Sequence, residues 1–373
     1  MKKKNLLAMA MMGLALFCSS CSDDDTSDDG NNGAVVSEKA MDVVIANYVD
    51  KVVLPTYEDM ENKVSLLNTA VDKYITSGTQ EDLDAACSAW RAARKPWEQS
   101  EAFLYGPADY ENLDPSLDSW PLQKDDIDQI LASQDFSQIE GDNTKAQGVR
   151  GYHTLEYLLF ENGKSKKTEN VTANEKGYMK RVSARLLEDA EDLHKAWVSG
   201  LGNENIPTSF GDEMKNHTSS RTASAKRILG EFIIDGGINN ISDEVGGQKI
   251  GNPYDYWKSG DYDQAVLEVE SWYSWNSLTD YEDNIISIEN SYMGGRRGDR
   301  DEDKSFSALV KSVNPELDSK VQKKIAATIE AIRSIPAPFR NNLDAKTEIE
   351  AAQAACTELT RVFEEVKTAL ELN

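Results

Sequence analysis

The chain has 373 residues, 65 acidic against 40 basic, a formal net charge of −25 and only three histidines. So acidic a surface repels phosphate backbones, which argues against nucleic acid as a partner and favours cations. Three histidines with no His-Glu-x-x-His pattern argue against the usual zinc-protease construction, so any metal chemistry rests mainly on carboxylates.

Lys2, Lys3 and Lys4 precede an apolar run from Leu6 to Phe17. The run is shorter than the roughly 20 residues that span a bilayer and suits a secretory signal. It ends in Cys18-Ser19-Ser20-Cys21, and a small residue before a cysteine is what lipoprotein processing requires. Residues 1–20 are therefore expected to be a lipoprotein signal peptide, with Cys21 lipidated and anchoring the chain to outer-membrane lipid on its periplasmic or outer face. Residues 21–36, rich in Asp, Asn and Gly, read as an acidic disordered tether. The acidic stretch behind the cysteine resembles the surface-export signal of Bacteroidetes lipoproteins; a plain solvated linker is the alternative. Cys87 and Cys356 remain, as a disulfide that an exported compartment permits or as two buried thiols.

The mature chain is helical in pattern nearly throughout. Ser37 can cap a helix running past Val52, with a kink expected at Pro55. Thr79 can cap the next, which carries Leu83, Ala86, Trp90 and Trp97 at helical spacing. Residues 105–121, broken by Gly106, Pro107, Pro115 and Pro121, read as a long loop. Further helices are expected near 127–131, 147–160, 174–198, 214–234, 262–292, 315–335 and 344–372, with an irregular Gly-rich stretch at 236–260. No convincing strand pattern is present. The expectation is an all-α fold of two four-helix-bundle-like domains, 37–203 and 204–373.

The most informative segment is Gly151-Tyr152-His153-Thr154-Leu155-Glu156. Residues three apart share a helix face, so His153 and Glu156 can place an imidazole nitrogen and a carboxylate oxygen on one cation; a buried His–Glu hydrogen bond is the plainer alternative. In the segment Trp90–Leu104, Trp90, Arg94, Trp97, Glu101 and Leu104 fall on one side of a helical wheel, which suggests an Arg94–Glu101 pair in the core or a Glu101 that faces a site. The loop that follows offers Asp109, Asp114 and Asp118, with Trp120 beside them. Glu101 and Asp118, together with His153 and Glu156, form a carboxylate-rich shell suited to iron, zinc, manganese or calcium. Glu268, Trp272, Trp275 and Thr279 recur at helical spacing, with Ser274 and Asn276 available to face a cleft. His194 and His217 read as surface or capping residues. No phosphate-binding Gly loop or Gly-x-Ser-x-Gly elbow is present.

Gly151-Tyr152-His153-Thr154-Leu155-Glu156 resembles the Gly-x-His-x-x-Glu motif of the imelysin family. Pro96-Trp97-Glu98-Gln99-Ser100-Glu101-Ala102-Phe103, Asp118-Ser119-Trp120-Pro121 and Glu270-Ser271-Trp272-Tyr273-Ser274-Trp275-Asn276 are similar to further signatures of that family, in the same order. The resemblance implies an all-α exported protein with a link to bacterial iron physiology. Three functions follow as expectations. The first is a non-catalytic envelope lipoprotein that binds iron or another divalent metal through His153, Glu156, Glu101 and Asp118, with Arg94, Trp97, Glu98, Trp120, Ser274 and Asn276 in support and a possible envelope transport partner. The second is a metallopeptidase with Glu156 as general base. The third is a binding module for a polysaccharide or an iron-bearing ligand.

Overall fold

Ser37 opens the first helix by accepting the Ala40 amide, and Glu38–Tyr48 follows. This and all that follows describes residues 36–372, Asp142 excepted, of a computed structural model. The expected signal peptide, the lipidated Cys21 and all of the tether but Val36 lie outside the described residues. At Pro55 the helical hydrogen-bond register changes. A π-helical turn, Val49–Val53, precedes a fresh helix, Leu54–Ser77, whose first turn holds the proline. The π-helical register accommodates the proline's missing N–H within one continuous helical run. Gly78 ends that helix at φ +65°, and Thr79 caps Gln80–Glu98 by accepting the Asp82 amide.

Leu54–Ser77 packs against both Gln80–Glu98 and Ala173–Val198, and the short helix Gly151–Leu159 lies against the latter two. Tyr57, Met60, Leu67, Trp90, Trp97, Leu155 and Leu186 are buried there. Farther along, Pro315–Ser334 packs against Ser277–Met293 and Lys346–Ala369. Ser277–Met293 also crosses Gln80–Glu98, which carries side chains from distant parts of the sequence to one place. The long loop holds two short helices, Pro107–Tyr110 and Leu113–Asp118. The strand content described is one two-residue hairpin, Phe160–Glu161 with Lys164–Ser165, so the all-α expectation holds.

Three stretches differ from the periodicity reading. The expected helix at 214–234 is broken: Phe210–Asn216 stops at His217, which sits at φ 54°, and helix resumes only at Ala225. The Gly-rich 236–260 region is helical, in the order π-helix Ile228–Asn239, Asn240–Glu244, π-helix Val245–Lys249 and Gly251–Ser259. Burial of Ile233, Ile234, Ile238, Ile241, Val245 and Ile250 overrides the poor helix propensity of glycine. The expected helix at 262–292 is two, Tyr262–Leu267 and Ser277–Met293, joined by turns with Ser271 and Trp275 at positive φ. The aromatic stripe there lies on a turn, not on a helix face.

Cys87 and Cys356 are free thiols, and burial pushes each up to about 12, so neither is reactive at neutral pH. Among the described residues no helix is long and apolar enough to cross a membrane.

Candidate functional site

Arg94, fully buried in the Gln80–Glu98 helix, is the hub of the site. Its guanidinium reaches Glu98 at 2.5 Å, Glu270 at 2.7 Å, Asp280 at 3.4 Å, and Asp118. The expected Arg94–Glu101 pair does not form. The α-helix ends at Glu98, because the Ser100 amide and hydroxyl both turn back onto the Trp97 carbonyl, at 2.7 Å and 2.6 Å. Glu101 then starts a short 3₁₀ turn and meets Lys249 at 3.6 Å instead.

Asp118 ends its short helix between two donors besides Arg94. The Trp97 indole N–H donates to Asp118 Oδ2 at 2.6 Å, and His153 Nε2 lies 3.1 Å from Oδ1. His153 and Glu156 share a face of Gly151–Leu159, as their spacing predicts, and His153 Nδ1 lies 3.2 Å from Glu156 Oε2. The other Glu156 oxygen accepts the Ser274 amide at 2.7 Å. Glu156 thus sits on Nδ1, while Nε2 faces Asp118 and, at 3.5 Å, Glu270 Oε1. The Trp120 ring covers the imidazole with its centroid 4.6 Å away. Asn276 braces the cluster, donating to Asp280 at 2.6 Å and accepting from Arg91 at 2.7 Å. The Asn284 amide donates to Glu98.

Two candidate ligand sets result. The atoms of Asp118, His153 and Glu270 lie within 4.8 Å of one another, as do those of Glu98, Glu101 and Asp118. Asp118, Glu101, Asp114, Glu244, Lys249 and Glu270 line a cleft of about 340 Å³. The electrostatics follow from burial and pairing. Burial, and then Arg94, oppose charge on His153, but Asp118 and the hydrogen bond to Glu156 together hold the imidazole's proton affinity well above the ordinary value. Burial would raise Asp118, yet Arg94 and His153 pull its carboxyl far below the usual range. Glu270, also opposed by burial, is brought to about 2 by Lys249, His153 and Arg94. Glu98 and Glu101 are pushed well up by burial, Asp114 to about 7 and Asp280 to about 6.

Periodicity missed Lys249 and Asp280 altogether, and Glu270 was visible only as a motif letter. His194 pairs with Glu61 at 2.6 Å and His217 with Asp42 at 2.9 Å, away from this cluster.

Asp283 shows the cost of such burial apart from the ligand sets. It accepts Gln99 Nε2 at 2.6 Å, and burial raises its carboxyl to about 6. An unfolded Asp titrates near 3.9. Stability is therefore fully present below about pH 4 and is lost as pH rises through about 6. Asp283→Asn keeps an acceptor and removes the charge. It is expected to stabilise the fold by about 3 kcal/mol at pH 8 and not at all near pH 3.5; thermal unfolding of both proteins at the two pH values checks this, and an equal gain at both would refute the assignment.

The helix Gly151–Leu159 thus sets its His153–Glu156 pair against an Arg–carboxylate cluster within an all-α fold. The chain belongs to the imelysin family, whose profile matches residues 53–366. It is 26% identical over 365 residues to iron-regulated protein A of Synechococcus elongatus, covering 97% of this chain and 92% of that protein. A crystal structure described as an iron-regulated protein A precursor from Parabacteroides distasonis is 45% identical, covers 91% of this chain and 97% of its own, and superposes with a TM-score of 0.88. An imelysin-like protein from Psychrobacter arcticum, 15% identical over 90% of this chain and 97% of its own, shares the fold at a TM-score of 0.67.

Proposed function

We propose that this chain is a cell-envelope lipoprotein, anchored through Cys21, that binds iron or another divalent cation in iron uptake or homeostasis. The observation that carries the reading is the donor set around His153 Nε2, where Asp118 and Glu270 stand at 3.1 and 3.5 Å. One imidazole and two carboxylates suit a hard or borderline divalent cation. Glu156 is then a positioning residue: its hold on Nδ1 fixes the ring and leaves Nε2 to the cation. Glu101 belongs to the second acidic set, next to Asp118. Around them the carboxyl groups of Glu98, Glu101, Asp118, Glu156, Glu270 and Asp280 outnumber Arg94, Lys249 and His153, so the cluster is rich in buried oxygen donors for a hard cation. Arg94 lies 3.3 Å from Nε2, so it must give way locally when the cation enters. The Synechococcus and Parabacteroides relatives are named as iron-regulated, which supports a link to iron.

A peptidase reading requires Glu156 to activate water. Both its oxygens are engaged, by His153 and by the Ser274 amide, and the side chain is fully buried. Binding is therefore favoured over hydrolysis. Metal analysis of the purified protein, beside His153→Ala and Asp118→Asn, tests the reading. Each variant is expected to lose metal affinity by about 100-fold, the scale of losing a principal ligand. Folded variants with wild-type metal content would overturn it.

A further inference from the structure

Lys249 ends the π-helical Val245–Lys249 segment, in a run that includes Gly246, Gly247 and Gly251. Its ammonium stands in a cage of carboxylates, 3.1 Å from Glu270, 3.6 Å from Glu101, 3.9 Å from Glu244 and 4.0 Å from Glu98. The side chain is 9% exposed and lines the same cleft as Asp118. One oxygen links this cage to His153: Glu270 Oε1 accepts from Lys249 at 3.1 Å and lies 3.5 Å from His153 Nε2. A divalent cation that takes Glu270 must therefore come within a few ångströms of the ammonium, and the two charges repel.

We propose that Lys249 is a resident counter-cation of the acidic cluster, and that a divalent cation enters by exchange, displacing the ammonium from Glu270. This rests on the binding reading above. Lysine suits the role, being a compact charge on a flexible stem that can leave one carboxylate for another. Glu244 is the landing place, because its side chain is 32% exposed whereas those of Glu98, Glu101 and Glu270 are at most 6% exposed. The exchange moves the ammonium's charge toward a partly exposed carboxylate as the cation's charge enters. It also sets the affinity, because every cation bound must first move the lysine. Lys249 is thus an affinity-determining residue and not a ligand.

The test uses the full chain and Mn²⁺ alone, as a divalent probe that does not oxidise in air. In calorimetric titration Lys249→Met is expected to bind Mn²⁺ about tenfold tighter than wild type or more, tenfold being about 1.4 kcal/mol. His153→Ala is expected to weaken binding about 100-fold in either background. A folded Lys249→Met protein that binds no tighter than wild type overturns the exchange and leaves the binding reading intact. Failure of both wild type and Lys249→Met to bind overturns both. The second measurement needs no substitution. Lys249 of the wild-type chain, labelled with an amine-acetylating reagent and read by mass spectrometry, is expected to react several-fold faster with saturating Mn²⁺ than without it. Unchanged labelling on a chain that binds Mn²⁺ refutes the displacement.

Discussion

Arg94→Met is expected to destabilise the fold by about 4 kcal/mol or more at pH 7, the scale of breaking a buried charge network from one side. The side chain has no solvent exposure, and it reaches Glu98, Asp118, Glu270 and Asp280. Methionine fills much of the volume and removes the charge. Asp118 and Glu270 now ionise readily, partly because Arg94 faces them; without it, burial raises both as it already raises Glu98. Carboxylates with raised folded values contribute stability that is present at low pH and lost as pH rises. The deficit of Arg94→Met is therefore expected to shrink from pH 8 to pH 5, a signature that a simple packing defect does not produce. Arg94→Lys keeps the charge but not the planar fork that serves several carboxylates at once, so an intermediate loss is expected. Denaturant unfolding of the three proteins at both pH values decides the matter. A methionine variant within about 1 kcal/mol of wild type at pH 7 would mean that the carboxylates are neutral in the native state and Arg94 is not their counter-charge.

How far this network was legible depends on the distance over which each contact forms. His153 and Glu156 share a helix, and three-residue spacing suffices to bring them together. Trp90, Arg94 and Trp97 likewise lie on the buried face of one helix. The wheel failed one turn later, at Glu101, because it assumed that the helix continues; the Ser100 hydroxyl ends it on the Trp97 carbonyl. Glu270 and Lys249 were beyond local reach. Glu270 lies on a turn between two helices and Lys249 at the end of a π-helix, and neither has a period that marks its face. The ion-pair partners of their charged groups are more than a hundred residues away in sequence, save one another and Glu244. The segments that resemble imelysin signatures carried the letters of this cluster, including Trp97, Asp118 and Glu270, without showing that they converge on one arginine.

The glycine that opens the Gly-x-His-x-x-Glu motif has a role of its own, and Gly151→Ala is the second substitution with a large expected effect. Gly151 has φ +86°, a region that L side chains rarely adopt. A Cβ there would also lie 2.8 Å from the Ser116 carbonyl oxygen, and closer still to that of Leu117. Both obstacles are backbone, so no side-chain rotation relieves them. Leu117 immediately precedes Asp118, so a shift that admits the methyl group must pull the Asp118 carboxylate relative to His153, now 3.1 Å apart. Strain and overpacking together are expected to cost about 3 kcal/mol or more, and the folded fraction is expected to bind Mn²⁺ more weakly than wild type. Gly202→Ala separates the two causes. Gly202 also has positive φ, at +73°, but a Cβ there meets nothing within 4 Å. Its cost should be the backbone strain alone, about 1 kcal/mol, with metal binding unchanged. If the two alanine variants unfold at the same temperature and bind Mn²⁺ equally, the close approach of the His153 helix to the Ser116 and Leu117 carbonyls is not what the motif glycine protects.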